Sequence, residues 1–507
     1  MIIGLDVGTT GCKAVFFNNN GEIIWRSYQE YPVEFPYPGW AEQDPERVWD
    51  AVCQVLIEGM TQIHGDSKDV IAIGLSVQGE AVIPVDSEGK PLRYAILGMD
   101  TRTYKENEWL RHNLGAWFLY EKTGMPIHTI NSLPKIMWIK NNEPEIWKKT
   151  WKFMLYEDFI AYRMTGNPVI SRCLASRTQL YDIHIREWCS EILNMINLSK
   201  DKLSEMVFSG HGIGEMKKQL AERLGFGVPP LVVSGGHDQA CGALGAGLIY
   251  PYMAMISTGT AEVMEVVLDS PAINMKLFEA NISCYEHVLP GKYLIMTLNH
   301  SGGLVLRWFK EVFAKEEINL SKETGLDVYD LILSQAPSRP TRILFMPHLG
   351  GSGTPWLDTR SSGVIMGLEF TTQKGDIVRS ILEGLTYELL INFDILSDCG
   401  IHIKEIRAIG GGSRSPLWLQ IKADVLGVPI YVPQVVDAPC VGAALIAGIG
   451  LGLWDWREIP QIIERWIRIK ATFYPNKENN VFYQKIYQIY KSIYPTCKEI
   501  LHKLKEV

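Results

Sequence analysis

The pattern of hydrophobic and polar positions predicts strands that alternate with helices along most of the chain. The apolar run Ile2–Val7 predicts a buried strand, and Cys12–Phe17 predicts a second strand after a polar turn. Further strand-rich stretches lie near residues 68–86 and 229–267. Helical patterns lie near residues 45–63, 105–122, 373–397 and 437–451. This alternation is typical of an α/β protein.

The segment Leu231–Gly247 combines a predicted strand, a tight turn and a predicted helix. Leu231–Val233 is a short apolar run, two glycines follow, and the small residues Ala240–Gly247 predict a closely packed helix. Asp238 stands at the start of that helix, where free backbone N–H groups and the helix dipole favour an ionised carboxylate. Asp238 is therefore either a simple helix cap or a functional carboxylate.

A strand, a Gly/Thr turn and a second strand occur twice, about 250 residues apart. The first turn is Gly8-Thr9-Thr10-Gly11, and the second is Thr258-Gly259-Thr260 between Met253–Ser257 and Ala261–Val267. Such turns expose N–H groups and hydroxyls that suit a phosphate or a hydrated cation, although an ordinary polar hairpin has the same residues. The repetition predicts a duplicated fold with a nucleotide cleft between its halves. The sequence has neither a Walker-type motif nor a Gly-x-Gly-x-x-Gly after a strand.

Composition narrows the class of protein. The chain has 507 residues, of which 47% are hydrophobic and 21% charged, and this predicts a globular enzyme of at least two domains. A net charge of −8 argues against nucleic-acid binding. No apolar run is long enough to span a membrane, and no secretory signal pattern is seen. Nine scattered cysteines without Cys-x-x-Cys pairs indicate reduced thiols, no zinc site and a cytoplasmic location.

Several segments resemble the FGGY family of carbohydrate kinases, nearly from end to end. Gly4–Lys13 resembles the family's first phosphate hairpin, and Pro38–Pro45 and Pro91–Arg102 are also similar. One family signature is approached by Ile130–Asn142, and the other is matched throughout by Gly363–Glu383. Gly410-Gly411-Gly412-Ser413, followed by Trp418, resembles the segment on the adenine side. Together, about twenty spaced positions are far more specific than any single motif.

The resemblance implies two actin-like, ribonuclease-H-like domains with an active site in the cleft between them. The break is expected near Ile249-Tyr250-Pro251, which gives an N-terminal domain of residues 1–250 and a C-terminal domain of residues 251–507. We expect the N-terminal domain to bind sugar and the C-terminal domain to bind nucleotide. From Asp455 to Val507 the pattern predicts helices, whose many aromatic residues are typical of packing.

The resemblance also implies roles for individual residues in ATP-dependent phosphoryl transfer. Asp238 resembles the catalytic base that accepts the proton of the sugar hydroxyl, whereas the role of His237 stays open. Asp6 resembles the carboxylate that holds Mg²⁺ through water. The residues implied in ATP binding are Thr9, Thr10, Lys13, Thr258, Gly259, Thr260, Gly411, Gly412 and Ser415. Those implied in sugar binding are Gln78, Glu80, Asp100, Arg102, Asp238 and Gln239.

The predicted sugar pocket departs from the relatives. Gly79 stands where glycerol kinases have arginine, and Gly98 stands where a tryptophan wall is usual. Ile130 replaces the residue that opens the first signature. These changes leave room for a ligand larger than glycerol, or require a wall from elsewhere in the chain. Asp100 and Arg102 are either a sugar-binding pair or a structural ion pair.

We therefore expect an ATP- and Mg²⁺-dependent kinase of a small-molecule sugar or polyol, with a ketopentose such as D-xylulose as the first hypothesis. Glycerol- or erythritol-like polyols, deoxyketoses and sugar acids are alternative substrates. Alternatives of another class are an actin-like nucleotide-dependent switch protein and a sugar sensor that has lost catalysis. The resemblance allows a homodimer, although no segment identifies an interface.

Overall fold

The computed structural model describes residues 1–63, 70–435 and 437–506. Within this part of the chain two large sheets form, one in each half. The strands of the first sheet are, in spatial order, Gly212–Glu215, Leu231–His237, Ala72–Val77, Ile2–Val7, Gly11–Phe17 and Ile23–Glu30. Those of the second sheet are Ser283–Glu286, Tyr293–Asn299, Glu262–Leu268, Met253–Thr258, Glu405–Gly410, Ile430–Pro433 and Ile469–Phe473.

The two sheets are built on the same plan. Ile2–Val7 pairs antiparallel with its hairpin partner and parallel with Ala72–Val77. Met253–Thr258 likewise pairs antiparallel with Glu262–Leu268 and parallel with Glu405–Gly410. These central strands are largely buried because helices or loops cover both faces, as their continuous apolar runs require. The predicted duplication of a strand–turn–strand unit is present in the structure.

Helices surround the two large sheets, and short two-stranded pairs form between segments outside these sheets. The helices are Pro45–Gln62, Tyr104–Asn113, Ala116–Thr123, Ser132–Asn142, Pro144–Lys149, Tyr156–Thr165, Arg172–Ala175, Ser190–Met195, Lys218–Leu224, Asp238–Gly245, Met275–Glu279, Gly303–Phe313, Lys315–Thr324, Val328–Leu333, Lys374–Asp398, Pro416–Leu426, Ala438–Gly450, Ile459–Trp466, Lys477–Tyr490 and Ile493–Glu506. The short pairs are Glu42–Gln43 with Ala95–Ile96, Ile83–Val85 with Lys152–Met154, Val169–Ser171 with Glu205–Val207, Tyr181–Asp182 with Glu187–Trp188, and Leu344–Met346 with Val364–Met366.

Three local expectations differ from the structure. The pattern near 105–122 is two helices, because Gly115 has a φ of +87° and interrupts them. The small-residue helix begins at Asp238 and ends at Gly245, two residues earlier than expected. In the predicted helical tail, Ile469–Phe473 is an edge strand paired with Ile430–Pro433, because tertiary pairing outweighs local propensity there.

The helix Ala438–Gly450 connects the two halves of the chain. It crosses Asp238–Gly245 so closely that a Cβ atom at Gly442 would lie 1.9 Å from the carbonyl oxygen of Cys241. It also lies on the first sheet, where a Cβ at Gly4 would come within 1.9 Å of the carbonyl oxygen of Cys440. A helix of the C-terminal half therefore packs against the N-terminal sheet, and a simple division of the chain at residue 250 stays a prediction.

Replacing Gly442 with alanine is expected to lower the free energy of unfolding by about 1–3 kcal/mol. The added methyl meets backbone atoms of Cys241, which cannot rotate away. The gain of about 1 kcal/mol that alanine brings to a helix offsets part of the overpacking cost, so we expect the net loss of stability toward the lower end of this range. Chemical denaturation measures the change, and Gly350→Ala is the control because nothing lies within 4 Å of the added atom there. Equal stability of the two variants would contradict the close crossing of the helices.

Candidate active site

A cavity of about 810 Å³ lies in the cleft between the two halves and is large enough for a sugar. The N-terminal half lines it with residues of the strand ends at 78–80 and 237–239, together with Gly98 and Ile130. The C-terminal half contributes Val263, Met296, Leu298, His300 and Thr359. The predicted residues Thr9, Gln78, Glu80, Asp238 and Gln239 all line this cavity.

Asp238 is the carboxylate best placed for chemistry in the cavity. It is the first residue of its helix, and a quarter of its side chain is exposed. Burial, with the nearby carboxylates of Asp6 and Glu80, raises the pKa of Asp238 to about 7. Hydrogen bonds from Gln239 oppose this rise. A carboxylate with a pKa near the working pH can accept a proton and release it again.

His237 is buried beside Asp238, with its Nε2 3.2 Å from Asp238 Oδ1. Burial, together with the neighbouring Arg177, lowers the pKa of His237 to about 3, so the imidazole is neutral. Its ring fills the space next to Gly79, where a Cβ atom would lie 2.8 Å from Cδ2. Any residue larger than glycine at position 79 would therefore clash with the ring of His237.

Sequence reasoning missed Arg177, which forms a buried ion pair with Glu80. Its Nη2 lies 2.5 Å from Glu80 Oε1, and both side chains are at most 5% exposed. Its Nη1 donates to Ser283 Oγ at 3.3 Å, and the guanidinium lies over the ring of Tyr285. Burial alone would raise the pKa of Glu80, but chiefly Arg177 holds it below its ordinary value. No motif marks Arg177, which lies 97 residues from Glu80 along the chain.

The backbone of Glu80 is held in an uncommon conformation. Its φ is +61°, in the left-handed region that non-glycine residues seldom adopt. Its carbonyl oxygen accepts hydrogen bonds from Ser132 Oγ at 3.1 Å and from Lys135 Nζ at 3.0 Å. Strain of this kind is concentrated at functional sites, where surrounding contacts fix it. Lys135 belongs to the first family-like signature, and here it orients Glu80.

Gly98 leaves one wall of the cavity open. A Cβ there would lie 3.5 Å from Ile130 and 3.7 Å from Glu80 Oε2, so a larger side chain would point at the Glu80 carboxylate. The departures at Gly79 and Gly98 therefore have different consequences. His237 fills the first space, whereas the second remains part of the cavity.

Gln78 mainly supports the first hairpin turn. Its Nε2 donates to the carbonyl oxygen of Gly8 at 3.2 Å and to Gln43 Oε1 at 3.0 Å, and its Oε1 accepts from Thr9 Oγ1 at 3.3 Å. Gln43 is held in turn by the hydroxyl of Tyr156 at 2.7 Å. These contacts position the turn that carries Thr9, while contact of Gln78 with a sugar stays a prediction.

Gln239 has an unused hydrogen-bonding atom beside the base. Its Oε1 is buried and has no partner among the described residues. Burying an oxygen without a hydrogen bond is costly, so its presence in the cavity wall fits a ligand that supplies a hydroxyl donor.

The structure does not bring Asp100 and Arg102 into the cavity wall. Arg102 donates to both carboxylate oxygens of Asp100, which is fully buried, and Asp100 Oδ2 also accepts from the backbone N–H of Ala41 at 2.6 Å. The guanidinium lies 3.6 Å from the ring centre of Trp40 and pairs with Glu42. Their geometry is that of a structural ion pair, the alternative that the sequence left open.

Asp6 lies at the end of the first strand, where its Oδ1 accepts a hydrogen bond from Ser76 Oγ at 2.8 Å. Burial raises the pKa of Asp6 to about 6, and Asp437 adds to the effect. Lys13 is paired with Asp437 at 2.7 Å. Within the described residues no cluster of three or more His, Cys, Asp or Glu could hold a metal ion. A single carboxylate with a raised pKa fits Mg²⁺ held largely by water and phosphate.

The predicted phosphate-binding residues of the second hairpin turn differ in exposure. Thr258 is 2% exposed, and its hydroxyl donates to Glu262 Oε1 at 2.6 Å and accepts from Lys422 Nζ at 2.9 Å. Its side chain is thus turned into the domain and away from a phosphate. Gly259 and Thr260 are exposed at the turn.

The glycine segment on the predicted adenine side lies against the second hairpin. Gly410 has a φ of +79°, and a Cβ at Gly412 would lie 2.6 Å from the side chain of Thr258. Gly411 is exposed and has only the carbonyl oxygen of Thr258 near its missing Cβ, at 3.8 Å. This leaves an open face for a nucleotide. The hydroxyl of Ser415 accepts from the N–H of Trp418 and caps the helix Pro416–Leu426.

Comparison with known proteins places the chain in a family. Residues 1–245 match the FGGY family of carbohydrate kinases, N-terminal domain, and residues 254–451 match the C-terminal domain of the same family. The chain belongs to the FGGY family of carbohydrate kinases, and the expected two-domain actin-like fold is confirmed. It is a sugar kinase, and the family uses ATP as phosphate donor.

Individual relatives cover nearly the whole chain. A xylulose kinase of Staphylococcus xylosus is 31% identical over 97% of this chain and 99% of its own length. A gluconokinase of Bacillus subtilis is 30% identical over 90% of this chain and 88% of its own length. The structure of a ligand-bound xylulose kinase from Lactobacillus acidophilus has a TM-score of 0.89, with 25% identity and 99% coverage of both chains.

Each of the nine cysteines is a free thiol. Among the helices of the described ranges, none combines the length and the apolar character needed to cross a bilayer.

Proposed function

We propose that this protein transfers the γ-phosphoryl group of Mg·ATP to a hydroxyl of a neutral ketose, with D-xylulose as the first candidate. The observation that carries the proposal is Asp238, a carboxylate with a pKa of about 7 that lines a sugar-sized cavity between the two domains. Phosphoryl transfer needs an aligned hydroxyl, an acceptor for its proton and stabilisation of the phosphate charge. The described residues offer a candidate for each task.

The proposed roles of the cleft residues fall into a sugar-binding group and a nucleotide-binding group. Asp238 accepts the proton of the attacking hydroxyl, while Glu80 and Gln239 hold neighbouring hydroxyls. Arg177 fixes the Glu80 carboxylate through its ion pair. The residues that would bind the phosphates and the nucleotide are Thr9, Thr10, Lys13, Gly259, Thr260, Gly411 and Gly412.

Bound Mg²⁺ would neutralise phosphate charge, and Asp6 would hold it through water. Burial raises the pKa of Asp6, and a cation held beside it would favour the ionised carboxylate instead. Thr258 and Ser415 would act by shaping the two turns, since their hydroxyls are already bonded within the protein. Asp100 and Arg102 would support the wall in the same indirect way.

The charge of the cavity wall supports a neutral substrate over a sugar acid. Its carboxylates are Glu80, Glu108 and Asp238, and its arginines are Arg111 and Arg177. The guanidinium of Arg177 is already paired with Glu80. Arg111 is likewise paired with Glu108, so neither arginine of the wall is left for a sugar carboxylate, which would also lie beside the carboxylate of Asp238 at a cost in binding free energy. The names of several relatives, xylulose kinases from Staphylococcus and other bacteria, point to the same substrate class.

The test measures ADP release from Mg·ATP by the wild-type protein and by Asp238→Asn. Each is assayed with D-xylulose, other ketopentoses, glycerol, erythritol, a deoxyketose and D-gluconate as the added substrate. We expect D-xylulose or another neutral ketose to raise ADP release in the wild-type protein alone. Stimulation by D-gluconate alone would contradict the charge argument. ATP hydrolysis that no added sugar changes would instead support a nucleotide-dependent switch protein.

We also propose a cytoplasmic location and keep a homodimer as a prediction. The free thiols support the first, because oxidising compartments favour disulfides. Measurement of the molar mass in solution by light scattering tests the homodimer.

A further inference from the structure

One face of the helix Tyr104–Asn113 lines the active-site cavity. The residues of this helix in the cavity wall are Tyr104, Asn107, Glu108 and Arg111. They are spaced at i, i+3, i+4 and i+7, so they share one face of the helix. The helix lies between the family-like segments Pro91–Arg102 and Ile130–Asn142 and belongs to neither. No motif therefore marks these residues.

Asn107 differs from the other residues on this face of the helix. Its side chain is 6% exposed, whereas those of Tyr104, Glu108 and Arg111 are exposed. Glu108 and Arg111 also pair with each other, with Arg111 Nε 3.3 Å from Glu108 Oε1. Asn107 is thus the buried polar residue of this face, and its neighbours do not pair with it.

The side-chain oxygen of Asn107 is unsatisfied. Asn107 Oδ1 is buried and has no hydrogen-bond partner among the described residues. Such a burial lowers stability, and asparagine is also a poor helix former within a helix. Neither hydrogen bonding within the protein nor helix propensity therefore explains an asparagine at this position. A polar group kept at a cost in the wall of a cavity is typical of a ligand contact.

Gly98 leaves further space in the same cavity wall. Its φ is not in the left-handed region, so the backbone does not require glycine there. A Cβ at this position would lie 3.5 Å from Ile130 and 3.7 Å from Glu80 Oε2, which are ordinary contact distances. Packing does not require glycine either. The missing side chain adds volume beside Glu80, in the cavity that Asn107 also lines.

We propose that Asn107 is a substrate-binding residue, whose side-chain amide forms a hydrogen bond with a hydroxyl of the sugar other than the one that Asp238 deprotonates. The proposal rests on the proposed function and adds to it a contact that distinguishes sugars by the hydroxyls they carry. A hydroxyl suits the amide because it both donates and accepts, and the amide can turn about its terminal torsion to meet it. A site that binds a hydroxyl in this way discriminates against an analogue without it.

The first experiment combines variants of Asn107 with analogues of D-xylulose that each lack one hydroxyl. With saturating Mg·ATP, we expect Asn107→Ala and Asn107→Leu to lower kcat/KM for D-xylulose by about tenfold, chiefly through a higher KM. The analogue that lacks the hydroxyl bound by Asn107 should have the same kcat/KM in the wild type and both variants, within about twofold. Leucine resembles asparagine in shape and alanine adds no bulk, so agreement between the two variants excludes a steric effect.

The second experiment measures thermal stability with and without D-xylulose. Asn107→Leu removes a buried unpartnered oxygen and improves helix propensity, so we expect its Tm without sugar to be at least that of the wild type. A given concentration of D-xylulose should raise the Tm of the wild type more than that of the variant, because the variant binds it less tightly.

Asn113→Leu is the matched control for both experiments. Asn113 ends the same helix and is exposed, and its Nδ2 donates to the carbonyl oxygen of Trp109 at 2.8 Å. We expect this variant to keep the wild-type kcat/KM for D-xylulose and for each analogue.

The results separate the role of Asn107 from the proposed function. Equal losses for D-xylulose and for every analogue that is turned over would show that Asn107 only supports the cavity wall, and a Tm below that of the wild type would agree with this. A loss in Asn107→Leu without one in Asn107→Ala would be steric and would also overturn the contact. If the wild type turns over no D-xylulose, the proposed function and the role of Asn107 fail together.

Discussion

Replacement of Asp238 with asparagine is expected to lower kcat by about 10²–10⁴-fold, while the affinity for ATP stays within about threefold of the wild type. The amide has the size of the carboxylate but cannot accept the proton of the sugar hydroxyl. Asp238 lines the cavity of the cleft and is not among the residues that we propose to bind nucleotide, so its replacement removes no predicted nucleotide contact. Initial rates of ADP release measure kcat, and calorimetric titration with Mg·ATP measures affinity.

Asp455→Asn is a suitable control for this change, because Asp455 is exposed and forms an exposed ion pair with its neighbour Arg457. It should retain wild-type turnover. Parallel loss of ATP binding and turnover in Asp238→Asn would show that Asp238 serves the nucleotide site and would contradict its role as base.

Asp238→Asn is also expected to change the stability of the fold. The direction of this change follows from the raised pKa of Asp238 in the folded protein. The pKa of Asp238 is about 7 in the folded protein, compared with 3.8 for an unperturbed aspartate side chain. The folded state therefore binds more protons than the unfolded state between these values, and stability falls as pH rises through this window. We expect Asp238→Asn to have a higher Tm than the wild type at pH 8 and a smaller difference at pH 4.

Replacement of Arg177 with methionine is expected to lower the free energy of unfolding by about 3–5 kcal/mol, because it leaves the buried Glu80 carboxylate unpaired. Both side chains of the pair are at most 5% exposed, so water cannot replace the guanidinium. KM for the sugar should rise as well, because Glu80 loses the partner that orients it. Urea denaturation measures the first effect, and steady-state kinetics measures the second.

The double variant Glu80→Gln with Arg177→Met separates stability from binding. It removes both charges, and we expect it to regain most of the lost stability, since an uncharged pair need not be desolvated. KM should stay raised, because the carboxylate is still absent. Arg307→Met is the control: its ion pair with Glu311 is exposed on both sides, so its loss should cost less than about 1 kcal/mol. Equal losses in Arg177→Met and Arg307→Met would contradict the importance of burial.

The two hairpins and the acidic residue at the helix start could be predicted because each is local in sequence. The turns at Thr9 and Thr258 are each flanked by apolar strands, and Asp238 follows two glycines at a helix start. A few adjacent residues are enough to specify such units. The same local signals could not tell that the Thr258 hydroxyl is bound by Glu262 and Lys422, since Lys422 lies 164 residues away.

The surroundings of Asp100 and Arg102 could not be predicted from the sequence, and their contact with a sugar stays a prediction. The sequence placed both in a segment that resembles relatives with sugar contacts, yet it could not show where the two side chains point. Ala41 and Trp40, about 60 residues away, engage the carboxylate and the guanidinium. Burial of both partners then favours pairing with each other over contact with a ligand.

The sequence by itself determined the family, the α/β class, the two Gly/Thr turns and the acid at the helix start, because these depend on short runs of residues with a fixed period or spacing. Only the tertiary structure decided which side chains face the cavity. Arg177 reaches Glu80 from 97 residues away, and Tyr285 reaches His237 from the other domain. Such contacts depend on how sheets and helices pack, and the free energy of burial that fixes them has no signature in the local sequence.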